Sequence, residues 1–582
     1  MKILPAATAV TAVLAAAHPL TPAAAQEAKN IILMISDGAG DTTWTAANQW
    51  LYGPGAPGQR AGDQPDWQTD FTQHWMSTFP GHTQPLPPSQ TGGALLPISL
   101  LEEFPFPQFG SYDPTPANDD TRATVNTLGR PDELGRGTAV TLTPNPNLPP
   151  ELQPFAKAIA ADTDVTAITG FAAYDYLTTN SITDSAAAGT ALATGVKSYN
   201  GSINFDTNEQ PLPFITQQAK ALGKTAGVVT TKEFTDATPA AFGTNSPSRQ
   251  LESLISDQMI NNGLLDVIIS PGHPEFGSGG TALDPADFNY SVVSEANLAA
   301  LRDGSAGWDF VDDADQLAAI GEGAAAAPDR LFGLVPVRSA LHSRDTAGRT
   351  NAFDPTVFDP ADPNGAVPFV MPDLDVLTQA AINTLKQDDD GFFLMVEGAS
   401  VDSAAHNNNL PQLIEEQLSF NRAVDQVIDW VEAESSWDET LLIITTDHAN
   451  GLLLGPDSDT VYFQDPVAGQ IGELPEAIWW STEHTNELVP LWALGPGSEL
   501  FDDLLSTEID DRRGRFIDNT DVYHVMSAVI PEPTAALLLA AAAFTLLPHR
   551  RAGSDLSPCQ KLSGSRHQRL GRGRTPKSFS IR

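Results

Sequence analysis

Apolar residues along this chain gather into short runs, each of which meets a polar residue at one end. "NIILMISDG" ends at Asp37, "FFLMVEG" at Glu397 and "TLLIITTDH" at Asp447–His448. "AGVVTTKE" follows the helix-like "FITQQAKALG", and "LVPLWALG" follows His484. Runs without polar alternation are apolar on both faces. Separated by helical segments, they predict a parallel sheet covered on both sides, with all five runs as parallel strands. In such sheets, ligands gather at the carboxyl ends of the strands, which is where these acids and histidines fall.

A second pattern has a period near 3.6. In "LPQLIEEQLSFNRAVDQVIDWVEA", the residues Leu410, Ile414, Leu418, Val424, Val427, Ile428 and Val431 recur at helical spacing, which predicts a packing helix. A third stretch, "SITDSAAAGTALATG" from Ser181 to Gly195, puts an acid and a serine at the head of a run of tiny residues. An N-cap accounts for Asp184 or Ser185. The small residues beyond them need another reason, either close approach of a ligand to the helix start or tight packing.

Residues 41–160 break the pattern. They hold 18 of the 46 prolines, and the expectation is an irregular insertion or lid on the core. At the N-terminus, residues 1–25 have Lys2, an apolar middle and Ala23-Ala24-Ala25, the marks of a signal peptide. The alternative, a membrane anchor, suits the run less well because Pro5, His18 and Pro19 interrupt it. Near the other end, residues 530–551 combine Pro-Glu-Pro, an apolar stretch and an arginine pair, similar to a PEP-CTERM sorting signal of Gram-negative bacteria. A basic tail, 552–582, follows and reads as disordered, whereas such signals normally end near the arginines. The expected layout is thus a signal peptide, a catalytic domain over 26–529, a sorting segment and a tail. It implies export to the periplasm, cell surface or exterior, with transient membrane contact through the sorting segment.

Charge narrows the partners. The net charge is −42, and the segment from Arg550 onward contributes nine Lys/Arg and one Asp, +8, so the remainder carries −50. A body so acidic excludes a basic nucleic-acid groove. An anionic substrate would need local positive charge, and with few basic residues that points to metals. The single cysteine, Cys559, cannot form an internal disulfide.

The candidate chemistry lies in Asp37, Asp184, Ser185, Asp236, Arg249, Glu397, Asp402, His406, Asp447, His448 and His484. "EGASVDSAAH" sets His406 one helical turn beyond Asp402, so both can reach one ion. Imidazole, carboxylate and hydroxyl donors make a plausible zinc shell, and carboxylates with a threonine suit magnesium.

In order, "NIILMISDG", "ITDSAAAGTALATGVKSYNG", "DATPAAF" followed by Arg249, "FFLMVEGASVDSAAH", "TTDH" and "EHT" resemble the motifs of alkaline phosphatases of the bacterial type. The resemblance implies a three-layer αβα sandwich around a mostly parallel sheet, and hydrolysis of phosphate monoesters through a phosphoserine. It implies Ser185 as nucleophile and Arg249 as phosphate clamp, with Asp184 beside them in substrate binding. Asp402, His406 and His484 would bind one zinc, and Asp37, Asp447 and His448 a second. Asp37, Thr238 and Glu397 would bind magnesium, with Asp236 in support. A homodimer is compatible with the resemblance.

Ser403 departs from it. It stands where the bacterial type usually carries Lys, Asp or His, which leaves Arg249 and the metals to meet the phosphate's charge. Two other enzyme classes on this fold are sulfatases and phosphodiesterases. Sulfatases need a Cys/Ser-x-Pro-x-Arg setting, and "DSAAAG" lacks both the proline and the arginine. A non-enzymatic surface protein would lack ligands, and none is missing.

Overall fold

The first apolar run is the centre of the molecule. In a computed structural model, Asn30–Ile35 forms strand β1, every residue of it buried. Its side chains alternate between two cores, Ile31, Leu33 and Ile35 on one face and Ile32 and Met34 on the other. Both faces are therefore dry, which explains the unbroken apolar run. The structure describes residues 27–54, 66–80, 182–206, 210–278, 280–341, 371–458, 463–506, 510 and 513–530. The signal peptide, nearly all of the sorting segment and the basic tail lie outside these residues.

β1 belongs to a ten-stranded sheet. The other strands are β2 (Thr72–Ser77), β3 (Thr225–Thr230), β4 (Val267–Ser270), β5 (Asp309–Val311), β6 (Leu331–Leu334), β7 (Phe392–Glu397), β8 (Thr440–Thr445), β13 (Val489–Leu494) and β14 (Ile517–Asp518). Between β8 and β13 the chain makes four two-residue strands, β9 (Ala449–Asn450), β10 (Leu453–Leu454), β11 (Ile478–Trp479) and β12 (His484–Thr485), which pair as two small ribbons. The order of the large sheet is β14-β2-β13-β8-β1-β7-β3-β4-β6-β5. From β8 to β5 all neighbours are parallel. Helices pack on both faces, giving the αβα sandwich.

The run "LVPLWALG" corrects the expectation of five parallel strands. β13 is antiparallel to both β8 and β2. After β8 the chain stays at the carboxyl edge, making the two ribbons without a crossover helix. It can only re-enter the sheet running backwards.

The 41–160 segment also departs from its reading where it is described. Asp41–Tyr52 is helical, and Thr72–Ser77 is a strand of the main sheet. Trp44 packs edge-on to Trp67, Phe420 and Trp492, at centroid distances of 6.0, 5.7 and 5.1 Å. Each such pair adds about 0.5–1.5 kcal/mol beyond its buried area. Aromatic anchors thus fasten this helix to the long helix Leu410–Glu434, whose Ile414, Leu418, Val424, Val427 and Val431 are buried as its periodicity predicts, while Leu410 and Ile428 are half-buried. Among the described residues, no helix is long and apolar enough to cross a membrane.

Candidate active site

Four adjacent strands, β8, β1, β7 and β3, bring the candidate acids to one edge of the sheet. Asp37 lies two residues past β1, Glu397 is the last residue of β7, Asp447–His448 follow β8, and Asp236 lies beyond β3. Gly38 makes one of these approaches possible. Its φ is +74°, and a Cβ there would meet the Asp402 Cα at 2.8 Å, so only glycine lets the Asp37 loop lie against Asp402.

Ser185 opens a helix, Ser185–Thr194, and Asp184 is its N-cap. The Asp184 carboxylate accepts from Ala187 N at 2.9 Å and from Gly201 N at 2.8 Å. The same carboxylate pairs with Arg249 Nη1 at 3.4 Å, while Asp236 Oδ1 accepts from Arg249 Nη2 at 2.7 Å. Two acids thus hold the guanidinium in one plane. Asp236 is itself the N-cap of a short helix, Ala237–Ala241, that carries Thr238. Gly189, within the run of tiny residues after Ser185, faces this helix. Ala186 to Ala188 are buried, and a Cβ on Gly189 would lie 3.2 Å from Ala241 Cβ. Of the two reasons open for the small-residue run, packing of helix against helix holds at Gly189.

Asp402, His406 and His484 converge. His406 Nε2 lies 3.1 Å from His484 Nε2 and 3.5 Å from Asp402 Oδ2, and His484 Nε2 lies 3.3 Å from Asp402 Oδ1. Each of the two rings turns its other nitrogen to a backbone carbonyl. His406 Nδ1 is 2.5 Å from Thr482 O, and His484 Nδ1 is 2.8 Å from Thr183 O. Donation to those carbonyls fixes both tautomers and leaves the Nε2 lone pairs facing one another, an arrangement suited to a shared cation. Asn450 Nδ2 donates to Asp402 Oδ1 at 2.7 Å.

A second group meets at His448. Its Nε2 lies 3.2 Å from Asp447 Oδ2, 3.7 Å from Asp37 Oδ1 and 3.2 Å from Ser185 Oγ. Donor atoms of Asp37, Asp447 and His448 all lie within 4.8 Å of one another, as do those of Asp402, His448 and His484. His448 Nδ1 has no partner among the described residues. A histidine acting as base for Ser185 would be oriented through that nitrogen by a third group, so the geometry favours a metal ligand. Asp37 Oδ1, Asp447 Oδ2, Glu397 Oε1 and Thr238 Oγ1 are likewise buried without a hydrogen-bond partner. Buried oxygens left bare are costly, and cations would satisfy them.

Charge tells the same story. Burial, reinforced by Asp447, Asp402 and Glu397, raises the Asp37 carboxyl well above its ordinary range. Burial and Asp236 push Glu397 up to about 8, and burial and Asp402 push Asp447 up to about 6. Burial, with His484 beside it, holds His448 well below the usual imidazole range. Burial also works against charge on His484, but the hydrogen bond to Asp402 carries it up to about 9. Burial likewise opposes charge on Asp236, yet Lys232 and Arg249 pull it down to about 2. These acids crowd together without enough positive charge, and a divalent ion would reverse their shifts.

Every candidate named from sequence therefore lies in or beside this edge, with Thr238 placed by its helix and its bare hydroxyl. Sequence reasoning missed Lys232, whose ammonium is 3.5 Å from Asp236 Oδ2. The signal was a lysine two residues past a strand end, in a chain with 31 basic residues against 73 acids. It also missed the carbonyls of Thr183 and Thr482, which no side-chain motif can mark.

Comparison with known proteins places this fold and site. The alkaline phosphatase family model matches residues 155–470, more than half of the chain. Alkaline phosphatase H of Pseudomonas aeruginosa is 32% identical over 348 residues, covering 54% of this chain and 68% of the relative. Alkaline phosphatase of Escherichia coli is 29% identical over 379 residues, 60% of this chain and 74% of the relative. A solved cold-active alkaline phosphatase from the psychrophile Shewanella sp. shares the fold, with a TM-score of 0.51 and 21% identity, across 86% of this chain and 100% of that one. The chain belongs to the alkaline phosphatase family. It is a phosphatase of a metal-dependent family.

Proposed function

We propose that the protein is an exported phosphomonoesterase that releases inorganic phosphate through a phosphoserine at Ser185. The observation that carries this reading is the position of Ser185 Oγ, at a helix start and 3.2 Å from His448 Nε2, the histidine common to both donor groups, with Arg249 held by the neighbouring Asp184. The donor chemistry suits zinc at Asp402, His406 and His484, a second zinc at Asp37, Asp447 and His448, and magnesium at Asp37, Thr238 and Glu397, with Asp236 in support. Such ions, when bound, lower the pKa of the attacking hydroxyl and stabilise charge on the entering and leaving oxygens.

The protein's own groups do the rest. Arg249, fixed by Asp184 and Asp236, presents a planar fork to two phosphate oxygens. The free backbone N–H groups at the helix start add positive potential at Ser185. Ser185 Oγ forms a bond to phosphorus as the alcohol oxygen departs with its electron pair, and water then splits the phosphoserine. Residues 1–25 and 530–551 support export and sorting at the cell envelope, and small phosphate monoesters are the partners.

The experiment is Ser185→Ala with labelled phosphate trapped at acidic pH. Loss of the label, with metal content retained, is the expected outcome. An undiminished label removes Ser185 from the mechanism. Rates on a phosphate monoester, a phosphate diester and a sulfate ester separate this reading from its neighbours on the same fold.

A further inference from the structure

Lys232 reaches the site from a position that no motif marks. Its side chain is 22% exposed, and Asp236 Oδ2, at 3.5 Å, is its one ion-pair partner among the described residues. Asp236 therefore holds two cations, Arg249 on Oδ1 and Lys232 on Oδ2. Burial alone would disfavour the ammonium, but Asp236, Asp402, Asp37 and Glu397 outweigh it and raise its pKa above that of an ordinary lysine. The shared Asp236 carboxylate sets the ammonium beside the Arg249 clamp, one cation on each oxygen. An ammonium has three donors, and a single carboxylate at 3.5 Å leaves capacity for an anion.

Position 403 bears on this. Ser403 follows Asp402 in the helix Ser400–His406 and offers a neutral hydroxyl where a charged or metal-interacting side chain would be expected. Lys232, two residues past the end of β3, is a cation on the same group of acids.

We propose that Lys232 supplies the cation that position 403 lacks and, with Arg249, binds the phosphate of substrate and product. The assignment rests on the phosphatase reading above. Six carboxylates (Asp37, Asp184, Asp236, Glu397, Asp402 and Asp447) crowd this site, and among the described residues Lys232 and Arg249 are the lysine and the arginine paired with them, beside the histidines His406, His448 and His484. An incoming phosphate dianion is repelled by the first set and held by the second. Losing one of two such cations is a substantial loss.

The test is equilibrium binding of inorganic phosphate to the metal-loaded full chain, with zinc and magnesium measured on the same samples. Lys232→Met keeps the aliphatic stem and should weaken phosphate by roughly 5- to 50-fold, the effect of a partly screened charge at close range, with zinc retained. Adding Ser403→Lys to that variant should restore most of the affinity. In the wild-type background Ser403→Lys should change it less than about twofold, because a cation is already there. Wild-type phosphate affinity in Lys232→Met overturns the assignment. So does equal tightening by Ser403→Lys in both backgrounds. Should Lys232→Met not fold, Ser403→Lys at a partly exposed position still decides, since strong tightening in an otherwise wild-type chain shows that no cation was present. If the metal-loaded wild type binds no phosphate, the phosphatase reading falls and Lys232 with it, whereas unaltered binding in Lys232→Met removes Lys232 alone.

Discussion

Replacing Asp184 separates what its carboxylate does for the fold from what it does for the site. Its two oxygens accept from Ala187 N at 2.9 Å and Gly201 N at 2.8 Å, and one of them also faces Arg249. Alanine removes both acceptors. The lost N-cap costs about 1 kcal/mol, and the Gly201 N–H left without its acceptor costs about 1–3 kcal/mol. The Arg249 contact adds little to stability, because it is long at 3.4 Å and Asp236 still holds the guanidinium at 2.7 Å when Asp184 is gone. Asp184→Ala should therefore lose roughly 2–4 kcal/mol. Asparagine can satisfy one of the two N–H groups, so Asp184→Asn should fall between wild type and alanine, about 1 kcal/mol above the latter. Urea unfolding of the three metal-free proteins measures this, with m-values expected to agree. Because Ser185 is the first residue after the cap, kcat should fall about tenfold further in the alanine variant than in the asparagine one. Equal stability of the two variants, or an alanine variant within about 0.5 kcal/mol of wild type, would refute the capping argument.

Three other outcomes are expected. Asp402→Ala, His406→Ala and His484→Ala should each lower zinc by the same equivalent in elemental analysis, since their donor atoms meet within 3.5 Å; full zinc in all three would dissolve that shell. In the metal-free protein, Glu397 at about 8 and His484 at about 9 hold protons in the fold that the unfolded chain releases at lower pH, so stability should fall as pH rises from about 6.5 to 9. His448, kept neutral by burial, acts with the opposite sign only below about 6.5, and saturating zinc should flatten the slope; a metal-free melting curve independent of pH contradicts this. Gly189→Val should cost about 1–3 kcal/mol, because even a Cβ there stands 3.2 Å from Ala241 Cβ and 3.5 Å from Thr238 Cα; an unchanged melting temperature would show that the seam has slack.

The sheet and its chemistry were legible for the same reason. Strands buried on both faces cannot alternate, so β1, β3, β7 and β8 stood out as runs, and the polar residues ending them fell at one edge. β4 and β6 are only four residues long and sit in ordinary sequence, so period alone does not reveal them. The antiparallel course of β13 depends on the path the chain takes between strands, which its apolar pattern does not encode. In 41–160, the count of prolines hid a helix whose evidence was two tryptophans, Trp44 and Trp50, rather than a full apolar stripe. Lys232 was hidden by chemistry. A lone lysine is normally solvated, and only the fold shows which acids surround it.

β1 is the first of the ten strands of its sheet in chain order, yet its two neighbours there are the seventh and eighth. It lies between β7, which begins at Phe392, and β8, which begins at Thr440. Until β7 exists a six-residue apolar strand has neither flank paired, and until β8 exists it has only one. Closing so long a loop is slow, and the central layer cannot be seeded early by local contacts. Asp37, at the tip of that strand, meets Asp447 and His448 only after the same step. The active site is thus a timer as much as a catalyst. The donor atoms of Asp37, Asp447 and His448 cannot come together until the chain has been made past β8, and a chain truncated before β8 would carry the serine motif without the Asp447–His448 pair.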